Sequence, residues 1–473
     1  ASCRRRDIGC GPNATTQTCQ YEETFMGSSL NAELLQRDLG ALVHSLHNEA
    51  AHRAGNMWVR GEGCEIIDAD GQRYIDAMSG LWNVTLGHGR RELADAASTQ
   101  MLTLPYCSGY AGNANPQALA LGERLAALCY PSINRFFLTS GGGESTDSTI
   151  KIARYFWKTQ GKPGKYKTIS VMGGYHGVTL AAMCATGMPA YWPAFEPRMP
   201  GFAHIPNHDR YRYVVPAGAD PETAAADELE RAILAEGPDS VALFLAEPVM
   251  GGGSYVPPAG YFRRIREICN RHDVLFAADE VITGFGRTGR MFGLEHAGVE
   301  PDLVQFAKGI TSGYVPLGGV GVSDKVAAAF DRPGDTWMHC YTYSGHPVSC
   351  AVALATLDVL ERERLVERAA HLGERMHAGL RRLLGAHPHV GDIRGLGLMA
   401  TLELVEDRAT KRPFDAARKV GPQVLAALRE RGVITRGRGD QVYLGPPFVI
   451  GEDMLDRMVE RVGEAVTSVL GPA

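Results

Sequence analysis

Between Pro131 and Val322 short apolar runs alternate with helical patterns, and this alternation limits the fold more than any other feature of the sequence. The runs read as strands are 135–138, 167–172, 241–247, 274–279, 303–306 and 318–322; helical periodicity intervenes at 144–159, 220–235 and 261–271. Runs this apolar, without polar alternation, suit strands covered on both faces, as in a parallel sheet flanked by helices. The expectation is an α/β domain with a mostly parallel central sheet.

The flanks read differently. A helix is expected from about Asn31 to Ala54, with Leu34, Leu35, Leu39, Leu42, Val43 and Leu46 on one face, and then a β-hairpin over Trp58–Ala77 turning at Asp70-Gly71. After about Cys350 come helical patterns at 348–362 and 365–384, short strands near 396–405, a helix at 416–431 and an apolar closing helix at 453–470. This predicts a flexible tail over 1–27 and an N-terminal segment over 28–80 that packs with a small domain and a dimer interface. A large α/β domain over 81–347 and a smaller α+β domain over 348–473 follow.

Composition excludes several classes. The 473 residues exceed one small core; 45% hydrophobic and 21% charged residues match ordinary globular usage. A net charge of −5 leaves no basic footprint for nucleic acid, and no run of eighteen apolar residues exists to span a membrane. Ten cysteines form no CxxC pair, and His44, His47 and His52 lack an i, i+4 spacing, so no metal site is expected. Cys3, Cys10 and Cys19 belong to the tail; the other seven cysteines read as small core residues of a reducing, cytoplasmic protein.

Three elements fall at strand ends, where open α/β sheets bind ligands. Thr139-Ser140-Gly141-Gly142-Gly143-Glu144 links a strand to a helix, where glycines let a phosphate approach free N–H groups. Asp279 closes an apolar strand, a costly position unless it meets solvent or a cation such as a protonated pyridine nitrogen. Lys308 follows the next strand among apolar residues, where desolvation lowers an amine's pKa and prepares it to condense with an aldehyde. Alone, each has a plain alternative: a flexible turn, a solvated strand end, a surface lysine. In this order they describe the phosphate cradle, ring-nitrogen partner and imine lysine that pyridoxal 5′-phosphate requires. Gly284-Phe-Gly286-Arg-Thr-Gly289 satisfies GxGxxG, but Glu280-Val-Ile-Thr separates it from the strand, so it reads as a loop and not a dinucleotide site.

From about residue 35 onward the sequence resembles the class III (subgroup II, ω-type) aminotransferases of pyridoxal-phosphate fold type I. The resemblance rests on Leu245-Ala-Glu-Pro-Val249, Asp279-Glu-Val-Ile-Thr-Gly-Phe-Gly-Arg-Thr-Gly289, Lys308-Gly309 and Thr342-Tyr-Ser-Gly-His-Pro347. It implies that Lys308 is the lysine bearing the cofactor, Asp279 the partner of the pyridine nitrogen, and Glu247 an acid near the cofactor. It further implies that Val281 and Tyr175, of Tyr175-His176-Gly177, cover the two ring faces. Thr342 would reach the phosphate of a partner subunit, so a homodimer or a tetramer is implied. One departure is the loop Gly141-Gly142-Gly143-Glu-Ser-Thr-Asp147, where the family has Ser-Gly-Ser-Glu-Ala-Asn-Asp; Gly143 keeps a backbone N–H but loses a hydroxyl.

Arg436 resembles the mobile carboxylate-binding arginine of amine:pyruvate aminotransferases, and Trp82 the aromatic wall of the same pocket; a surface ion pair and a core or interface tryptophan are the alternatives. Relatives that use 2-oxoglutarate carry Arg and Glu where this chain has Val178 and Gly252, which implies a one-carboxylate acceptor such as pyruvate. Amines, diamines and ω-amino acids all suit as donors. A decarboxylase or aminomutase would use the same Lys and Asp, and a non-catalytic regulatory module would need a fused DNA-binding segment or a lost lysine, neither of which is visible.

Overall fold

The computed structural model describes residues 29–46, 48–110 and 112–472, so the reading of residues 1–27 as a tail, with its three cysteines, falls outside it. The described residues form two units, those within 29–59 with 68–72, and those within 60–67 with 73–472.

In the first unit the expected helix from Asn31 to Ala54 is two helices, Leu30–Ala41 and Glu49–Arg53. Leu42 turns extended at the end of the first, and the Asn48 side chain accepts from Ala51 N to start the second. Leu42, Val43 and Leu46 are consequently exposed instead of forming an apolar face. His44 lies in the link, 2.7 Å from Asp38, and His47 is outside the described residues.

The second unit is built on a seven-stranded sheet, whose strands we label β1 (Ile133–Thr139), β2 (Lys167–Val171), β3 (Phe202–Ile205), β4 (Val241–Ala246), β5 (Leu275–Asp279), β6 (Leu303–Phe306) and β7 (Gly318–Ser323). The order is β1-β7-β6-β5-β4-β2-β3, parallel throughout except that β7 runs against both neighbours. β4 to β7 are buried along their whole length, which explains their unalternating apolar sequences. β3 is absent from the sequence reading because it is a short, half-buried edge strand. In β7 glycine is a packing device: a Cβ on Gly319 would stand 2.5 Å from Phe306 Cζ.

Helices cover the sheet as their periodicity predicts. Gly142–Thr159 buries Ile150, Ile152, Ala153, Phe156 and Trp157, and Tyr261–Arg271 buries Tyr261, Phe262, Ile265, Ile268 and Cys269. The hairpin strands Glu65–Asp68 and Arg73–Asp76 pair antiparallel, and Val433–Ile434 joins the second in parallel. Pro347–Arg362, Leu365–Leu384 and Glu452–Leu470 are helices as expected, whereas the helix expected at 416–431 begins as a separate turn, Ala416–Arg418. Lys419 (φ 49°) breaks it, and the α-helix runs Val420–Glu430. A second sheet contains Val390–Gly395, Ala400–Leu404, Gln441–Leu444 and Gly437–Arg438.

Of the described cysteines, Cys64, Cys184, Cys269 and Cys350 are buried, but Cys107 and Cys129 are half-buried and Cys340 is exposed, so the core reading holds for only part of the set. Among the described residues no helix is long and apolar enough to cross a membrane.

Candidate active site

The sheet brings Asp279 and Lys308 together because β5 and β6 are parallel neighbours. Asp279 pairs in register with Gln305, three residues before Lys308. Both therefore emerge at the same sheet edge, one from the last residue of its strand and the other just beyond it. Lys308 adopts φ 47°, an uncommon conformation for a residue with a side chain. Its side chain is only partly exposed, and desolvation pushes its ammonium pKa down to about 8; Asp279 and Glu247 oppose that shift and Arg436 adds to it.

Asp279 is held from two sides. Val281 N donates to Oδ1 at 3.1 Å, and His176 Nδ1 donates to Oδ2 at 2.6 Å. Both side chains are buried. Burial lowers the His176 pKa, but the hydrogen bond and charge of Asp279 outweigh it and leave the imidazole above its ordinary value. His176 is itself fixed through its backbone: its N–H donates to Thr186 Oγ1 at 2.9 Å, and its carbonyl accepts from Thr146 Oγ1 at 2.7 Å. Gln305 Nε2 donates to the same Thr146 oxygen at 2.7 Å. This Gln–Thr–His–Asp chain goes beyond what the sequence motifs imply, although a glutamine inside the strand Leu303–Phe306 is a visible signal for it.

Glu247 stands one residue past β4 and receives Tyr175 N at 2.9 Å and Gly251 N at 2.7 Å. Desolvation raises its pKa. Through this carboxylate the Tyr175 loop and the Gly251 loop are tied to the same strand end.

The glycine run does open a helix. The N–H groups of Gly142, Gly143 and Glu144 have no acceptor among the described residues, leaving an anion-receptive first turn. A Cβ on Gly142 would come within 3.1 Å of Val281 Cγ1, and a Cβ on Gly177 within 2.9 Å of Gly143 Cα. The loop after Asp279, the loop after Tyr175 and this turn thus meet at glycines. The unusual Ser145 and Thr146 are buried and bonded; Ser145 Oγ donates to Phe306 O at 3.2 Å, which links the turn to β6.

The remaining residues lie farther out. Thr342 is exposed, its carbonyl accepting from Tyr106 OH at 3.2 Å. Arg436 is exposed, acts electrostatically on Lys308 and Tyr175, and has no ion pair among the described residues, so the surface salt bridge considered for it is not formed there. Trp82 is 4% exposed and packs with Met78, Val249, Met399 and Tyr443, its ring seated over Gly445, where a Cβ would be 2.1 Å away. The GxGxxG segment is a series of turns with no helix, as expected. Its Arg287 is fully buried and donates to Leu398 O at 3.2 Å, Pro446 O at 2.7 Å and Ser79 Oγ at 3.0 Å.

Known proteins share this architecture. The class-III aminotransferase family model matches residues 47–466. Diaminobutyrate–2-oxoglutarate transaminase of Halomonas elongata is 38% identical, with 92% of this chain and 96% of that protein covered. Putrescine–pyruvate aminotransferase of Pseudomonas aeruginosa is 37% identical, with 90% and 94% covered. The crystal structure of a thermostable (S)-enantioselective ω-transaminase from Thermomicrobium roseum superposes with a TM-score of 0.89 at 45% identity, covering 95% of this chain and 100% of that one. The chain therefore belongs to the class-III aminotransferases, enzymes that depend on pyridoxal 5′-phosphate.

Proposed function

We propose that the chain moves an amino group from a primary amine, diamine or ω-amino acid to pyruvate in two half-reactions at one site. The observation that carries this reading is a desolvated Lys308 beside Asp279, within electrostatic reach of one guanidinium, Arg436, that has no ion pair among the described residues.

Pyridoxal phosphate, when bound, supplies an aldehyde for the substrate amine and a ring that takes up electrons from the amine carbon. The residues fit it. The three first-turn amides at Gly142, Gly143 and Glu144 suit its phosphate, and buried Asp279 suits its protonated ring nitrogen. Val281, packed on Gly142, would cover one ring face and Tyr175 the other. His176 holds Asp279 in place and Glu247 holds the Tyr175 backbone. Exposed Thr342 is assigned to the phosphate in a second copy of the chain, which makes the working unit a homodimer.

Lys308 Nζ is the acid–base group. With its pKa near 8, a useful fraction is neutral at neutral pH, so it can take the proton from the substrate's amine-bearing carbon and return it later. Arg436 would bind the keto acid's carboxylate. Val178, exposed and uncharged, and Gly252 supply no further charge at their positions, which supports an acceptor with one carboxylate. The relatives divide on this point, since one is named for pyruvate and another for 2-oxoglutarate. Enzyme loaded by an amine donor, freed of the excess and mixed with either keto acid would decide it. Faster turnover with pyruvate is expected, and faster turnover with 2-oxoglutarate would overturn the reading.

A further inference from the structure

Arg436 has a second arginine as its neighbour. Arg438 lies two residues on, across Gly437, in a hairpin where Gly437 pairs with Val442 and Arg438 with Gln441. Arg436 stands just before the strand Gly437–Arg438, and its carbonyl accepts from Tyr443 N at 2.9 Å, which carries the hairpin pairing one position further. Residues two apart along extended backbone project to the same side, roughly 7 Å from each other. Arg438 is also exposed and has no ion pair among the described residues. Its guanidinium lies over the Gly251-Gly252 loop: a Cβ on Gly252 would stand 3.8 Å from Arg438 Nη1. Tyr443 OH donates to Gly252 O at 3.3 Å and ties the hairpin to that loop, which hangs from Glu247 through Gly251 N. Because position 252 is glycine, no side chain there answers the guanidinium.

The two arginines are ordered with respect to the amine end. Arg436 acts on Lys308 and Tyr175, whereas Arg438 is not among the charges acting on Lys308. Both act on the buried phenol of Tyr443, whose pKa burial raises to about 12 against their pull. Arg436 is thus the inner cation and Arg438 the outer one.

We propose that Arg438 is a specificity-determining residue that binds a distal carboxylate, one carried several methylene groups beyond the reacting carbon. Such a carboxylate belongs to a long ω-amino acid donor or to a dicarboxylic keto acid. This rests on the assignment of the reacting end to Lys308 and leaves pyruvate's carboxylate with Arg436.

The test uses the holoenzyme and its Arg438→Gln and Arg438→Lys variants. For each, kcat/KM is measured for 6-aminohexanoate against hexylamine with pyruvate as acceptor, and for 2-oxoglutarate against pyruvate with hexylamine as donor. In Arg438→Gln at least one ratio, of the substrate with the distal carboxylate to its counterpart, is expected to fall about tenfold or more, with partial recovery in Arg438→Lys. A fall in the first ratio identifies the donor as the source of the carboxylate, and a fall in the second identifies the acceptor. If neither ratio moves more than about twofold, Arg438 is a surface charge and the proposal fails. A wild-type preference for 2-oxoglutarate would overturn the pyruvate reading, while the proposal for Arg438 is judged only by the change in each ratio from wild type to variant.

Discussion

The strand-end centre and the 436–444 hairpin both carry charges near the site, and they treat them in opposite ways. At the strand ends Asp279 receives His176 and Val281, Glu247 receives Tyr175 and Gly251, and both acids are buried. On the hairpin Arg436 and Arg438 are exposed and have no ion pair among the described residues. A buried charge is tolerated only with partners, whereas an exposed guanidinium persists without one. In the function proposed above, the difference separates a fixed cofactor end from an open substrate end, where cations remain available to carboxylates that arrive and leave.

That contrast can be broken by substitution. Lys308→Ala removes the proposed acid–base group and is expected to lower kcat by about 10⁴-fold or more, measured as alanine formed from pyruvate. Asp279→Asn keeps the shape but removes the charge, and a fall in kcat of about 10²- to 10³-fold is expected in the same assay. Arg436→Ala should act on the substrate instead, lowering kcat/KM for pyruvate about 100-fold, with a smaller loss for an arylalkylamine donor. Gly142→Ala crowds Val281 and should weaken cofactor retention several-fold in a dialysis series, with less effect on turnover at saturating cofactor.

The cofactor end also has a pH signature. Only the neutral amine of Lys308 attacks an aldehyde, and its pKa of about 8 lies below the ordinary lysine value. Capture of pyridoxal phosphate by the apoenzyme should accelerate with pH and level off above about 8. An unperturbed lysine would keep accelerating past pH 10.

Much of the cofactor end was legible in the sequence because burial on both faces writes itself as an uninterrupted apolar run. β5 and β6 are such runs, and their terminal Asp279 and nearby Lys308 stand out as charges. The bond from His176 to Asp279 was not legible, since it joins residues 103 apart and depends on strand order. The break in the N-terminal helix is not legible, since leucines at helical spacing say nothing of a cap such as Asn48, which starts a new helix. The short strands at 433–444 carry too few residues for periodicity to register, although they place Arg436 and Arg438. Trp82 shows the same limit: its motif says nothing of Gly445, distant in sequence, on which its ring is seated.

Treating the holoenzyme with borohydride fixes the cofactor covalently to whichever lysine bears it, and mass mapping of the digest then locates the label. A single label on Lys308 is expected; a label on another lysine, or none, would contradict Lys308 as the cofactor-bearing residue.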